Sequence, residues 1–238
     1  MITGPDWGRT RNACSRLDAG AQNEGAERVI RLWHVAQSRS FRVLWALEEM
    51  ELAYVQEQCS FFDRSLRAPD HLARSPAGRV PAVEIDGQAM YESGAILLSL
   101  AERFAPPLRV PEGDGARGAF LQGLHYAETL GAHLANLTQQ HIVLREDWMR
   151  SPTVMRLEAR RLENALRALG PGWVAGVFSV ADIALGYSVW MARRFVALPE
   201  GAAQYLAACE ARPGFRRALS ADGPAEIYHR DFYPAPEV

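Results

Sequence analysis

The first ordered part of the chain is predicted, from the spacing of its apolar residues, to begin near Val29. Residues 29–35 are mostly apolar and are predicted to form a buried strand. Apolar residues then recur at helical spacing over 41–50, behind a serine, Ser40, that can cap this helix. A second strand is predicted over 52–56. The order strand, helix, strand implies a right-handed crossover and a parallel pair of strands.

A β-hairpin is predicted around the pair Asp86-Gly87, which lies between two short apolar stretches. Residues 83–85 and 89–91 are its strands, and both turn residues tolerate a positive φ, as a type I′ turn requires. The proline of Val80-Pro81 heads the first strand, and its missing N–H leaves a backbone edge free. The hairpin should therefore present one unpaired edge.

The residues after the hairpin are predicted to bind an anion. Ser93 is a good N-cap for an apolar helix that runs to about Phe104, and the free N–H groups of its first turn form an anion site. A carboxylate held there, beside the exposed backbone of Val80, describes a pocket for an extended small peptide.

The second half of the chain is predicted to be helical. Its strongest local signal is Ser179 followed by Asp182, a close variant of the capping box, in front of an apolar and therefore buried helix. The long first helix is expected to bend or break near Gly131. The predicted helices span residues 116–149, 152–169, 180–195, 202–212 and 215–219.

These patterns predict an α+β protein. A short helix over 70–73 completes the order β-α-β-α-β-β-α, a four-stranded mixed sheet with helices. The expected divisions are a disordered or mis-assigned N-terminal extension over 1–28, a sheet domain over 29–104, a proline-rich linker over 105–115, an all-helical domain over 116–222 and an irregular tail over 223–238.

Composition narrows the function classes. The net charge is −2, so nothing favours nucleic acid or an anionic membrane as a partner, and no apolar run reaches the length of a membrane span. The first 28 residues lack the apolar stretch of a secretory signal. The three cysteines are far apart and show no metal-ligand spacing, so we expect no metal site and a reducing, cytoplasmic location.

Several motifs, taken together, resemble the glutathione S-transferase family, in particular its cytosolic, bacterial-type members. One alone would be weak evidence, but they occur in order from about Val29 to Leu219. They are Ser38-Arg39-Ser40-Phe41-Arg42-Val43-Leu44-Trp45-Ala46-Leu47-Glu48-Glu49, Ser75-Pro76-Ala77-Gly78-Arg79-Val80-Pro81, Glu92-Ser93 with Ala95-Ile96, Phe178 to Ile183, and Arg212-Pro213-Gly214-Phe215.

The resemblance implies a thioredoxin-like N-terminal domain, an all-α C-terminal domain and a homodimer. It implies glutathione as co-substrate and a hydrophobic electrophilic small molecule as the second substrate, in a detoxification role. The γ-glutamyl carboxylate would sit at Ser93, and Glu92 would meet the ammonium group. The cysteinyl backbone would pair with Val80 beside a cis Val80-Pro81 bond. The implied glutathione-binding set is Arg64, Arg79, Val80, Pro81, Glu92 and Ser93, with Arg67 and His71 as further candidates for the glycyl carboxylate.

The glutathione thiol needs a group that favours its anion, because a free thiol of this kind has a pKa near ~8.5. Members of the family use Tyr, Ser or Cys in the turn before the first helix, and here that turn holds neither Tyr nor Cys. The resemblance therefore points to Ser38, with Ser40, Gln37 and Arg39 as alternatives. Ser40 also has a plainer interpretation as a helix cap.

The resemblance places the electrophile pocket along the long helix of the second domain, where Tyr126 and His133 are the candidates. The expected activity is glutathione attack on an electrophilic carbon. The alternatives are a glutathione-dependent reductase, isomerase or dehalogenase on the same fold, or a non-catalytic member that binds glutathione or another ligand.

Overall fold

The structure is a computed structural model that describes residues 30–236. The expectation for the extension over 1–28 lies outside the described residues, as do Val29 and the last two residues of the predicted tail.

A four-stranded mixed sheet forms the first part of the fold. Its strands are β1 (Ile30–His34), β2 (Tyr54–Gln58), β3 (Ala82–Ile85) and β4 (Gln88–Tyr91), in the spatial order β2-β1-β3-β4. The β1–β2 pair is parallel, and the other two pairs are antiparallel. The helices of this part are α1 (Ser40–Glu49), α2 (Pro69–Arg74) and α3 (Ser93–Phe104). The predicted order β-α-β-α-β-β-α is confirmed.

The hairpin has the predicted geometry. Asp86 and Gly87 have φ values of 51° and 78°, the two positive values that a type I′ turn requires. The Val80-Pro81 peptide bond is cis, as the family resemblance implied. Val80 itself lies just before β3 and is outside the sheet ladder.

The two predicted serine caps are wrong. Arg39 occupies the N-cap position of α1 and Glu92 that of α3, so Ser40 and Ser93 are each the first residue of their helix. The Ser40 hydroxyl accepts a hydrogen bond from the N–H of Val35. It therefore holds the chain at the end of β1 and does not cap its own helix. Glu92 has a φ of 71°, which sharply turns the chain between β4 and α3.

Five helices form the second part of the fold; one 3₁₀ turn, at residues 106–108, precedes the first of them and another, at residues 147–149, precedes the second. They are α4 (Arg117–Thr138), α5 (Pro152–Leu166), α6 (Val180–Ala192), α7 (Glu200–Glu210) and α8 (Pro213–Asp222). The predicted break near Gly131 is wrong, because α4 runs through it and widens only afterwards, into a π-type turn at Gln139–Val143. Gly131 instead allows a close approach, since a Cβ there would lie 3.0 Å from Nη2 of Arg39.

Helix α6 is the buried centre of the helical part, as its all-round apolar sequence predicts. Every residue from Val180 to Ala192 is buried, and the predicted capping box is present. The Asp182 carboxylate accepts hydrogen bonds from the N–H of Ser179 at 2.9 Å, the N–H of Val174 at 3.0 Å and the hydroxyl of Tyr205 at 2.9 Å. Four donors, counting the Ser179 hydroxyl, stabilise this buried carboxylate.

One hydrophobic core joins the two parts of the fold. The aromatic ring of Phe41 in α1 stacks on Trp190 in α6 at 4.9 Å between centroids, and Trp45 meets Phe215 of α8 edge-on at the same distance. Helix α1 is therefore held from both sides, which fixes the turn that precedes it. No helix within residues 30–236 has the length and apolar character needed to cross a membrane.

Candidate functional site

A cavity of about 710 Å³ opens between the sheet part and the helical part. The turn before α1, the segment before β3 and the loop after β2 form one side of it. The second half of α4, the π-type turn, α6 and the C-terminal tail form the other. Two of the sequence motifs, the turn before α1 and the segment before β3, therefore meet a helical wall that neither of them predicts.

Ser38 lies in the wall of this cavity, in the turn between β1 and α1. Its Oγ is 2.8 Å from Oγ of Ser40 and accepts a hydrogen bond from the N–H of Ser40 at 3.2 Å. Ser40 is fully buried and does not line the cavity. Of the two hydroxyl candidates, only Ser38 can touch a molecule bound there.

The two other candidates in the turn line the cavity but are held by other partners. Gln37 accepts a hydrogen bond at its side-chain oxygen from Nη2 of Arg194, at 2.8 Å. Arg39 donates to the carbonyl of Gly131 at 3.3 Å and pairs with Glu128 at 3.2 Å. Both side chains therefore link the turn to the helical part of the fold.

Val80 supplies a main-chain edge to the cavity. Among residues 30–236, no group donates to or accepts from its backbone N–H and C=O. Gly78, two residues earlier, has a φ of 60°, and a Cβ there would lie 2.6 Å from Nη1 of Arg67 and 2.7 Å from the carbonyl of Leu66. The glycine thus lets this segment pass close to Arg67 and Leu66. A larger residue would displace the segment and, with it, the main chain of Val80.

A cluster of arginines surrounds the same end of the cavity. The side chains of Arg64, Arg67 and Arg79 line it. His71, the fourth candidate for a glycyl carboxylate, is buried beside a separate, smaller cavity, and its Nε2 lies 3.1 Å from the carbonyl of Arg79. The structure therefore places three of the four cationic candidates at the cavity and leaves His71 supporting the main chain behind it.

The start of α3 is not part of the cavity lining, but Arg42 links it to the cavity. Neither Glu92 nor Ser93 is part of the cavity lining, and Pro81 is buried behind Val80. Arg42 lines the cavity floor, and its Nη1 donates to Oγ of Ser93 at 3.0 Å. Because the Ser93 oxygen accepts this bond, its own proton stays available to a carboxylate.

Arg42 is a fully buried cation that joins the two parts of the fold. It donates to the Glu128 carboxylate, to Oγ of Ser188 at 2.9 Å and to the carbonyl of Ala127 at 3.3 Å. Burial lowers the pKa of Arg42, and Glu128 opposes this change. Burial would raise the pKa of Glu128, but the charges of Arg42 and Arg39 outweigh it and lower that pKa.

The electrophile candidates Tyr126 and His133 do not lie at the cavity. The Tyr126 hydroxyl donates to the carbonyl of Ala165 at 2.9 Å, and Nδ1 of His133 lies 2.7 Å from the Glu158 carboxylate. Residues seven apart share one face of a helix, and this face of α4 packs on α5. The α4 residues that do line the cavity are Gly131, Leu134, Ala135 and Thr138, which are spaced along another face.

Sequence reasoning missed the far wall of the cavity. Tyr187 and Met191 of α6 line it, but their sequence context shows only a buried helix. Tyr228 lines it from the irregular tail, with its hydroxyl 3.0 Å from Oγ1 of Thr138. Burial raises the pKa of both tyrosines, so neither phenol ionises near neutral pH. No periodicity or motif marks Tyr228.

No metal centre is found in the part of the chain that the structure describes: no group of three or more His, Cys, Asp or Glu side chains there could hold an ion. The sheet part with its cis-proline, the unpaired edge at Val80 and the helical second part define a thioredoxin-fold protein with an all-helical C-terminal region. Comparison with known proteins shows which members of this class the chain is similar to.

Residues 28–102 match the family model described as the glutathione S-transferase N-terminal domain. Glutathione S-transferase 3 of Schizosaccharomyces pombe is 38% identical over 90 residues, which are 37% of this chain and 36% of that protein. The chain thus matches about a third of the length of such curated relatives. Its N-terminal part therefore carries the domain that this family model describes.

Solved structures extend the likeness to the helical part. A glutathione transferase from Methylococcus capsulatus is similar with a TM-score of 0.65 and 26% identity, over 82% of this chain and 98% of that one. A theta class glutathione S-transferase from Xanthomonas axonopodis pv. citri, solved with glutathione bound, has a TM-score of 0.68 and 24% identity, over 80% and 96%. The second comparison bears on the fold alone.

Proposed function

We propose that the protein is a glutathione transferase that binds glutathione along Val80 and activates its thiol with Ser38. The observation that carries this proposal is that one cavity is lined by both Ser38, whose hydroxyl contacts Ser40, and the main chain of Val80, which is unpaired among residues 30–236. An extended peptide that pairs with Val80 has its thiol within reach of the turn before α1. The match to the glutathione S-transferase N-terminal domain and the glutathione bound in a structure of similar fold support the choice of peptide.

The two carboxylates of glutathione would be bound at separate places. The γ-glutamyl carboxylate meets the N-terminus of α3, where the N–H groups of the first turn and the Ser93 hydroxyl are donors. Arg42, which donates to Ser93, adds a buried positive charge behind that helix end. Glu92 is exposed beside it and is suited to the ligand ammonium. The glycyl carboxylate meets the cluster of Arg64, Arg67 and Arg79.

Ser38 would then act on the sulfur. A hydroxyl that donates a hydrogen bond to the sulfur favours the thiolate over the thiol, and the thiolate is the nucleophile. The sulfur attacks an electrophilic carbon, forms a thioether and expels the leaving group. The apolar side chains of Leu134, Ile142, Val143 and Met191 suit a hydrophobic electrophile.

We also propose the cellular setting that the family resemblance implies: a homodimer in the cytoplasm of a bacterium, acting in detoxification. Sedimentation velocity tests the first point directly. A species with twice the mass of the 26.4 kDa chain is expected, and a monomer at micromolar concentration would refute the homodimer.

Binding and turnover can be measured separately. The wild-type protein should be retained on immobilised glutathione and should conjugate a chlorinated nitroarene. Ser38→Ala should be retained equally but should lose about 10²-fold in kcat/KM, as is typical when a group that assists proton transfer is removed. Ser220→Ala, which removes an exposed hydroxyl on α8 that donates to the carbonyl of Arg216, is the matched control.

Three outcomes would overturn the proposal or one of its assignments. If the wild-type protein is not retained, the assignment of Val80, Glu92 and Ser93 to glutathione fails. If it is retained but turns over no electrophile, the protein is a binding member of the family and not a transferase. If Ser38→Ala is as active as Ser220→Ala, Ser38 does not activate the thiol.

A further inference from the structure

A chain of short hydrogen bonds leads from Ser38 into the protein interior. Oγ of Ser38 is 2.8 Å from Oγ of Ser40, which is 2.8 Å from Nδ1 of His34. Nε2 of His34 is 3.2 Å from the carboxylate Oδ1 of Asp222 and 3.2 Å from its main-chain carbonyl. The imidazole and the Ser40 hydroxyl are fully buried, and Asp222 is 2% exposed. Only Ser38, at the cavity end, can meet a ligand.

The surroundings of the imidazole determine which nitrogen carries its proton. Nε2 faces two oxygen atoms of Asp222, and both can only accept a hydrogen bond. A neutral His34 must therefore carry its proton on Nε2, which leaves Nδ1 as an acceptor toward Ser40. The Ser40 hydroxyl has one proton and three neighbouring acceptors: Nδ1 of His34 and Oγ of Ser38, each at 2.8 Å, and the carbonyl of Val35 at 3.1 Å. Ser38 has a proton of its own to place in its contact with Ser40, whereas this Nδ1 has none, so the Ser40 proton is directed to the imidazole.

The same chain fixes the direction of the Ser38 hydroxyl when His34 is neutral. With the Ser40 proton on the imidazole side, Oγ of Ser40 accepts the proton of Ser38 across the 2.8 Å contact. Oγ of Ser38 then presents its free lone pair to the cavity, where it can accept a thiol proton but cannot donate. A serine in this state favours the thiol over the thiolate, so activation requires the chain to reverse.

On the basis of the proposed function, we propose that His34 takes up the glutathione thiol proton through Ser38 and Ser40. The S–H bond breaks as its proton moves to Oγ of Ser38. The Ser38 proton moves to Oγ of Ser40, and the Ser40 proton moves to Nδ1 of His34. The products are a thiolate and an imidazolium that faces the Asp222 carboxylate, and no proton is lost. The Ser38 hydroxyl now points at the sulfur and stabilises the thiolate.

The step is completed when the thioether forms. The sulfur then no longer needs a hydrogen bond, and the imidazolium returns its proton along the same chain to water or to the leaving group in the cavity. His34 acts through the two serines and never contacts the substrate, so it is a positioning and proton-holding residue. Asp222 has a second task, because its carboxylate also accepts the N–H of Gln37 at 3.2 Å and 3.1 Å and so holds the turn.

Titratable groups from three other elements lie near His34 or the turn that follows it. Asp222, at the end of α8, is its acidic neighbour. From α6, Tyr187 approaches the same turn and donates its hydroxyl proton to the carbonyl of Gln37 at 3.2 Å. After β2, Cys59 donates its N–H to the carbonyl of His34 at 2.8 Å, and burial raises the pKa of its thiol. Both groups stay neutral, so the carboxylate of Asp222 is the charge that His34 meets.

The test compares the number of protons released when glutathione binds with the number of thiolates formed. Thiolate is measured by its ultraviolet absorbance, and released protons by an indicator dye in weak buffer at neutral pH. If Ser38 were only a donor, each thiolate formed would release one proton to solvent. With the relay, the wild-type protein should release far fewer protons than the thiolate it forms. His34→Gln should release close to one for each, because glutamine cannot hold the proton.

A pair of serine variants tests the relay without touching the imidazole. Ser40→Ala removes the middle hydroxyl and should lower kcat/KM about 10²-fold while the glutathione Kd changes less than about twofold. Ser40→Thr keeps the hydroxyl and should restore both the activity and the low proton count. Ser220→Ala, on the surface of α8, is the control. In ¹⁵N spectra of histidine-labelled protein, glutathione should protonate Nδ1 of His34, identified by its absence in His34→Gln.

The outcomes separate the relay from the proposed function. A wild-type protein that binds glutathione and releases one proton for each thiolate would refute the relay and leave the transferase proposal standing. Ser40→Ala that matches Ser40→Thr in activity and proton count would also refute it. A wild-type protein that binds no glutathione, or forms no thiolate at neutral pH, would refute the proposed function and the relay together.

Discussion

Removing the charge of Glu128 should weaken the junction between the two parts of the protein. Its carboxylate accepts from Arg42 and pairs with Arg39, so it holds two cations of the α1 segment against α4. Glu128→Gln keeps the size of the side chain and removes only the charge. Arg42 keeps its bonds to Ser93, Ser188 and Ala127, but its buried charge loses its counterion.

The magnitude follows from the exposure of the two partners. Breaking a fully buried ion pair by removing one partner costs about 3–5 kcal/mol. The side chain of Arg42 is 0% exposed but that of Glu128 is 43% exposed, so solvent already screens part of the interaction. We expect a loss of about 2–3 kcal/mol in the free energy of unfolding, which for a chain of this length lowers Tm by about 5–10 °C.

The pH dependence of the destabilisation shows whether the charge of Glu128 is its cause. The pKa of Glu128 lies below its ordinary value of 4.5, because the two arginines outweigh the effect of burial. A depressed carboxyl pKa stabilises the fold above the unfolded-state pKa, and this stability is lost as pH falls through the folded-state pKa. Wild type should therefore exceed Glu128→Gln in urea denaturation at neutral pH, and the difference should shrink in acid.

Glu163→Gln is the matched control, because its carboxylate lies 3.9 Å from Arg167 on the exposed surface of α5. It should change the unfolding free energy by less than about 0.5 kcal/mol at any pH. The reasoning is refuted if Glu128→Gln is no more destabilising than Glu163→Gln, or if its effect is the same at neutral and acid pH.

Three further predictions concern the site and its supports. Ser93→Ala should weaken glutathione binding roughly tenfold in equilibrium dialysis, since a hydrogen bond to a charged group is lost; an unchanged Kd would remove Ser93 from the site. Asp182→Ala should lower the unfolding free energy by about 3–5 kcal/mol in urea, because four buried donors lose their acceptor; a loss under 1 kcal/mol would contradict the role given to the capping box. Tyr126→Phe should leave KM for the electrophile within about twofold, and a large rise would put Tyr126 back at the pocket.

Local signals predicted elements well where the physical cause is itself local. The type I′ turn at Asp86-Gly87 and the capping box of Ser179 and Asp182 depend on residues that are adjacent or three apart, so a short stretch holds all the information. The two helix starts at Ser40 and Ser93 were mispredicted for the opposite reason. Their hydroxyl groups serve partners elsewhere, the end of β1 and the side chain of Arg42.

The orientation of α4 was the main point that its pattern did not reveal. Tyr126 and His133 were predicted at the pocket because they lie on the helix that borders it, but the helix turns that face toward α5. Which face of an amphipathic helix meets which neighbour depends on packing against the rest of the chain. The break near Gly131 was mispredicted for a related reason, since the glycine makes room for Arg39.

The sequence by itself determined the order of strands and helices, the turn at Asp86-Gly87 and the capping box before α6, because each depends on neighbouring residues or on motifs that can be read along the chain. Only the tertiary structure decided that Ser38 and not Ser40 faces the cavity, and that Tyr228 closes its far wall. It alone brings Asp222 to His34, 188 positions earlier in the chain. Contacts between residues so far apart produce no pattern in the local sequence, so only the packing of the folded chain reveals them.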